Sequence, residues 1–307
     1  MHTFPIDNRS HTDRNSRRPV PAIFILLTLF VLFSATNGAA ASLLWEVKSP
    51  TATVFLFGSI HLAKSDMYPL DAVIENSFAK SSNLVLELNP LTVDQMKLQQ
   101  EVMTKGMYEG GKTIKDDLSE DVYGMLEEYL KKESLPVESY IKMKPALLAV
   151  MLSSLKLIKL GFSPDQGIDI YFAKKAGKDK PILELETVQE QMDMIFNLPD
   201  PNLFLKYTLI DSSKTGEQIA EIIKLWKDGD AKKLNGVVIE KSLEEHPELS
   251  PILDVIIFQR NMKMAEKIKG YLSTDDTYFV VVGAAHLVGG KGIVSLLEKA
   301  GYPVRKF

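Results

Sequence analysis

Residues 53–62, TVFLFGSIHL, and residues 277–287, TYFVVVGAAHL, decide the fold of this chain. Each runs as an apolar strand, a glycine, two small or apolar residues, a histidine and a leucine. An unbroken apolar strand is the pattern of a strand buried on both faces, as in a parallel sheet covered by helices. Each histidine, His61 and His286, falls just past the C-terminal end of its strand, where open α/β sheets place their ligand sites. The glycine lets the backbone turn sharply and leaves room for another group to approach. Of the five histidines, His2 and His11 lie at the far N-terminus and His246 sits in a charged turn before Pro247, where it reads as a solvated residue. His61 and His286 are therefore the two candidates for chemistry.

Outward from these strands, Leu43–Val47 and Thr53–Gly58 flank Ser49-Pro50 and predict a hairpin. A helix is expected from Pro69 to about Lys80, and NLVLEL (83–88) predicts another buried strand. From Thr92 to about Leu160 the periodicity is helical. Its last piece, Ala146–Leu160, stops at Gly161, and its shortness together with Lys156 and Lys159 marks a core helix rather than a membrane span. Gly167–Gly177 reads as a short helix and PILELE (181–186) as a strand. Thr187 with Glu190 three residues on forms a capping box for the next helix. A helical stretch from about Asn202 to Gly270 is expected to break at Gly216, Gly229 and Pro247. The strand 277–283, a helix from about Gly292 to Ala300 and a strand Val304–Phe307 close the chain. This order predicts an α/β fold: a mixed central sheet formed by strands from both ends of the mature chain, flanked by helices, with a largely helical middle insertion.

The N-terminus carries Arg9, Arg14, Arg17 and Arg18, then the apolar run AIFILLTLFVLF (22–33), then the small-residue stretch SATNGAAAS (34–42). Basic start, short apolar centre and small-residue end make a secretory signal, with cleavage near Ala41. The apolar run falls short of the roughly 20 residues that a membrane span needs. Residues 1–41 are thus read as a signal peptide, and 42–307 as one domain that is periplasmic or secreted, with no stable membrane span after cleavage. The chain has no cysteine, which excludes lipid attachment at a cysteine, disulfides and thiolate metal sites. Its net charge of −4 becomes more negative once four arginines and two aspartates leave with the leader. An acidic chain without a basic block excludes nucleic acid as a partner. With 45% apolar and 25% charged residues, the composition is that of a globular protein.

Carboxylates accompany the histidines. Glu87 ends LVLEL, and Glu184 and Glu186 lie in PILELE. An ionised carboxylate in a buried strand costs several kcal/mol unless it is paired or bound to a cation. Two imidazoles with two carboxylates suit Mn²⁺, Co²⁺, Fe²⁺ or Zn²⁺.

GSIH (58–61), LVLELN (84–89), MKPALLAVML (143–152), GID (167–169), LELETVQEQ (183–191), QRNMKMAEKI (259–268) and VVGAAHLVGGKGIVSLLEKAGYPV (281–304) resemble, in order, the TraB/GumN family, related to the Tiki metalloproteases and the erythromycin-esterase-like group. The resemblance covers essentially all of 42–307. It implies a divalent-metal-dependent, peptidase-like hydrolase acting on a peptide or protein substrate, with His61 and His286 at the site and Glu87 and Glu186 beside them. It also implies that Arg260 and Asn261, which match the family's Arg-Asn pair, orient a carboxylate or stabilise oxyanion charge. Bound metal would lower the pKa of a water and polarise a carbonyl. His61, Glu87 and His286 are expected as metal ligands (Mn, Co or Zn). Glu186 is expected as general base, because its strand runs straight into a capped helix that would hold it rigid. Two other readings use the same residues: a non-catalytic binder that sequesters a peptide or signal, and a structural export factor with a vestigial site.

Two motifs are decoys. GMYEGGKT (106–113) satisfies the P-loop pattern letter for letter, but a P-loop joins a strand to a helix, and here a helical pattern precedes the run. Ser59 lies two residues before His61 without the elbow motif of a serine hydrolase. The leader reading is checked by N-terminal sequencing of protein from the native envelope. The sequence is expected to start near Ser42; intact Met1 in a soluble cytoplasmic fraction would refute export.

Overall fold

The two matched stretches form adjacent parallel strands at the centre of a six-stranded sheet. The computed structural model describes residues 42–211 and 215–307; the leader lies outside them. In chain order the strands are β1 (Leu44–Lys48), β2 (Thr53–Ser59), β3 (Asn83–Leu86), β4 (Ile182–Glu184), β5 (Thr277–Gly283) and β6 (Val304–Lys306). In space they run β4-β3-β5-β2-β1-β6. The first four of this order are mutually parallel, while β1 is antiparallel to both β2 and β6. The sheet is mixed, as expected, and strands from both ends of the described chain build it. β2 and β5 pair in register from Thr53 opposite Thr277 to Ser59 opposite Gly283.

Burial explains the unbroken apolar strands. Val54, Leu56, Leu84, Val85, Leu86 and Phe279 to Val282 are fully buried. Helices Ala72–Lys80 and Ile168–Ala176 bring Phe78 and Phe172 against Phe57 and Phe279, with ring centroids 4.9–6.0 Å apart. Helices Gln259–Tyr271 and Ile293–Lys299 add Met264, Ile268, Ile293 and Leu297 to the same core. The helical middle has a core of its own: Glu120–Lys132, Pro145–Lys159 and Pro201–Asp211 pack around Leu126, Leu130, Leu148, Leu152, Leu205 and Leu209. Each such side chain contributes about 1.5–3 kcal/mol on burial, so this layer coheres without borrowing apolar surface from the sheet. No helix among the described residues is long and apolar enough to cross a membrane.

Local chemistry sets the boundaries. The capping box forms: Thr187 Oγ1 accepts from the Glu190 N–H, and the Thr187 N–H donates to Glu190 Oε2 at 2.8 Å. Other ends differ from the sequence pattern. The first long helix starts at Ala72, not Pro69, with Asp71 as its N-cap. β3 and β4 stop at Leu86 and Glu184, which leaves Glu87 and Glu186 just past the strands rather than within them. Gly216 does not break a helix; it lies in the first turn of Thr215–Lys227. The GKT run follows helix Gln95–Gly106 and leads into a single turn, Ile114–Asp116. Lys112 pairs with Asp117 at 2.7 Å, so the strand that a P-loop requires is missing from its place.

Candidate functional site

The four parallel strands end side by side, and each hands one candidate residue to the same edge: Glu186 after β4, Glu87 after β3, His286 after β5 and His61 after β2. The backbone continues the pairing past the strands, the Glu186 N–H donating to the Glu87 carbonyl at 2.8 Å. Glu87 is the hub. Its Oε1 lies 4.0 Å from His61 Nε2 and 3.8 Å from His286 Nε2, and it accepts the Gly283 N–H at 2.6 Å. Its Oε2 takes Arg260 Nη2 at 2.6 Å. The same guanidinium grips Glu186 through Nε at 2.8 Å and Nη2 at 2.6 Å, and donates through Nη1 to the Ile256 carbonyl at 3.0 Å. Gln191 also donates to Glu186 Oε2 at 3.0 Å.

Both imidazoles are held from behind. His61 Nδ1 meets Asp169 Oδ2 at 2.9 Å, and His286 Nδ1 meets Asn261 Oδ1 at 2.6 Å. Asn261 is fully buried, and its amide nitrogen donates to the Lys291 carbonyl. Its amide is thus occupied by His286 and the backbone. All six sequence candidates therefore belong to one connected network. Asp169 was not singled out from the sequence, although it stands in the GID match. It sits in the first turn of helix Ile168–Ala176, where the helix dipole favours a carboxylate. Gly167 precedes that helix because space demands it: a Cβ there would lie 2.2 Å from the His61 carbonyl oxygen. The other Asp169 oxygen accepts Ser59 Oγ at 3.0 Å, so the buried Ser59 hydroxyl is directed at Asp169 rather than at His61.

Charge state follows from these contacts. For Glu87, burial raises the pKa, but His286, His61, Arg260 and the Gly283 N–H together bring it down to about 2. Burial lowers His286 to about 4, with Arg260 and His61 adding to it and Glu87 and Glu186 opposing. Desolvation lowers His61 as well, yet the charge and hydrogen bond of Asp169, with Glu87 beyond, lift it to about 9. His61 is also the exposed member, its side chain 56% accessible against 5% for His286.

Donor chemistry fits a divalent ion, and spacing comes close. With each Nδ1 engaged, each Nε2 is left to face the Glu87 oxygen, the arrangement in which outer partners orient ligating histidines. Gly283 leaves a hollow between them: a Cβ there would stand 3.2 Å from His61 Nε2, 3.4 Å from Glu87 Oε1 and 3.5 Å from His286 Cδ2. Two donors on a tetrahedral ion with ~2.1 Å bonds lie ~3.4 Å apart, so the observed 3.8 and 4.0 Å are wider by a few tenths of an ångström. Among the described residues, no group of three or more acidic, histidine or cysteine side chains is already closed to ligand spacing.

The double grip of Arg260 gives a direct test. Removing the partner of buried carboxylates costs about 3–5 kcal/mol, so Arg260→Met is expected to lower unfolding stability by that amount in urea titrations. Arg260→Lys should fall between, because it keeps the charge but loses the planar fork. An Arg260→Met variant within about 1 kcal/mol of the parent would show that the two carboxylates are not held by this guanidinium.

Comparison with known proteins agrees with this framework. The profile of the TraB/PrgY/gumN family matches residues 43–306. YbaP of Escherichia coli, named an uncharacterized protein, is 23% identical over 79% of this chain and 87% of its own length. Metalloprotease TIKI1 of Xenopus tropicalis is 22% identical over 93% of this chain and 67% of its own length, and human metalloprotease TIKI1 is 22% identical over 86% and 61%. The chain thus spans about two thirds or less of these Tiki proteins. No solved structure matches it. A family profile that runs through every strand and every residue of the network leads to one conclusion: this chain belongs to the TraB/PrgY/gumN family.

Proposed function

We propose that this protein is an exported divalent-metal-dependent hydrolase of peptide or protein substrates. One observation carries the reading: two imidazole Nε2 atoms face a single carboxylate oxygen, while both Nδ1 atoms are occupied from behind. The metalloprotease names of the Tiki relatives and the tripartite leader support it.

In this reading His61, His286 and Glu87 hold the ion, which is Mn²⁺, Co²⁺ or Zn²⁺ on donor type. When bound, such an ion lowers the pKa of a water and polarises a substrate carbonyl. The chain's own residues prepare the place. Asp169 and Asn261 fix which imidazole nitrogen faces the centre. Arg260 neutralises the far oxygen of Glu87, so the near oxygen alone turns toward the imidazoles. Glu186 holds Arg260 in position. This role for Glu186 differs from the general base that its strand and cap suggested, because both of its oxygens are already occupied, by Arg260 and Gln191. Exposure of His61 leaves that side of the centre accessible to substrate. A cavity of about 250 Å³ bordered by Leu88, Val93, Leu98, Thr187 and Val188, next in the chain to Glu87 and Glu186, would receive a substrate side chain.

Binding of one ion stabilises the folded state by roughly 2.7 kcal/mol at a hundred times its dissociation constant. The thermal midpoint should rise accordingly with Mn²⁺, Co²⁺ or Zn²⁺. His61→Ala and His286→Ala should each remove most of the rise, and the double variant little more, since residues of one site are non-additive. Glu87→Gln should lose the response and Glu186→Gln keep it. Turnover of a peptide library should depend on the same ion. A full metal response in either histidine variant would overturn the site; a metal response without turnover would leave a binder rather than a hydrolase.

A further inference from the structure

The helical middle contains a cavity of about 380 Å³, the size of a small-ligand site. Its walls, among the described residues, are chiefly Leu152, Leu157, Phe204, Ile219, Ile252 and Ile256, from four separate helical segments. None of the six residues of the His61–His286 network lines it. One charged side chain does: Lys156, on helix Pro145–Lys159.

The charge around Lys156 is unbalanced. Its ammonium lies 3.3 Å from Glu133 Oε1, but the other Glu133 oxygen is taken by Lys159 at 2.7 Å. One carboxylate therefore faces two ammonium groups, which leaves this cluster of three side chains with a net positive charge. Tyr207 also lines the cavity, and its hydroxyl donates to Glu248. An apolar space whose one charged lining side chain is a cation is complementary to a chain that bears a single negative headgroup.

We propose that this cavity binds a free medium-chain monocarboxylate, its hydrocarbon against Leu152, Phe204 and Ile252 and its carboxylate on Lys156. The apolar walls supply affinity through burial of methylene groups, at about 0.8 kcal/mol each. Lys156 selects the anion through a charge-assisted hydrogen bond, shared with Glu133. The site is separate from the proposed metal centre and does not depend on it. They share one turn: Ile256, which lines the cavity, gives its carbonyl to the Arg260 guanidinium.

Calorimetric titration of the full chain with decanoate, below its micelle concentration and without added metal, tests this. Saturable binding of one decanoate per chain is expected, with 1-decanol weaker by about tenfold, the ratio that a charge-assisted hydrogen bond supports. Lys156→Met should erase that preference, while Lys156→Arg keeps it. Leu253→Trp, which fills the cavity from its wall, should weaken decanoate by about tenfold or more, provided its thermal midpoint shows that it folds. Equal affinity for acid and alcohol would overturn the proposal, as would unchanged decanoate binding in Lys156→Met. Binding to phosphatidylglycerol vesicles that Leu253→Trp abolishes, with no binding of free decanoate, would assign the cavity to membrane lipid acyl chains instead, and would also overturn it.

Discussion

A carboxylate buried at the end of a parallel strand governs this structure. Glu87 is 5% exposed, and an ion in such a place costs several kcal/mol unless its surroundings neutralise it. Four groups do so, and each comes from a different element: the Gly283 N–H from the end of β5, the His61 imidazole from the loop after β2, the His286 imidazole from the short helix Ala284–Leu287, and the Arg260 guanidinium from the helix that packs on the sheet. No local segment satisfies Glu87 by itself. The sheet order, with β5 inserted between β2 and β3, is what brings these groups within reach. Gly283 lacks a side chain where one would fill the hollow between the three donors.

Around the hub runs a second layer that positions rather than reacts. Asp169 holds His61 and Ser59, and Asn261 holds His286 and the Lys291 carbonyl. Glu186 holds Arg260. The backbone beneath is pinned as well: Trp226 Nε1 donates to the Gly58 carbonyl at 2.7 Å, near the end of β2 and three residues before His61. Buried polar chains of this kind rigidify a site when every member is satisfied. The contrast between buried His286 and exposed His61 gives the network a fixed side and an accessible side.

Much of this was legible in the sequence because it rests on short-range pattern. Unbroken apolar runs marked β2, β3 and β5, and the repeated strand–glycine–histidine order placed His61 and His286 on one edge. Glu87 stood out as a charge beside apolar residues, and the Thr187–Glu190 box fixed the start of its helix. What escaped was pairing across distance. Asp169 lies 108 residues from His61 and looks like an ordinary helix-start residue. Asn261 shared a motif with Arg260, yet nothing in the motif says that one turns to an imidazole and the other to two carboxylates. The alternation in PILELE could not tell Glu184, which accepts the Asn89 N–H at 2.6 Å, from Glu186, which holds Arg260. The cavity beside Lys156 was invisible for the same reason, since its walls come from helices whose crossing no periodicity reports.

The claim on which the functional reading rests is that two histidines and one glutamate, brought together from three strand ends, share one ion. Anomalous diffraction from crystals grown with Mn²⁺ measures this directly. The expected result is one strong peak bounded by His61 Nε2, His286 Nε2 and Glu87 Oε1, with donor distances near ~2.1 Å and the three side chains drawn together by a few tenths of an ångström. A peak elsewhere, or no peak between the imidazoles at saturating metal, would contradict it.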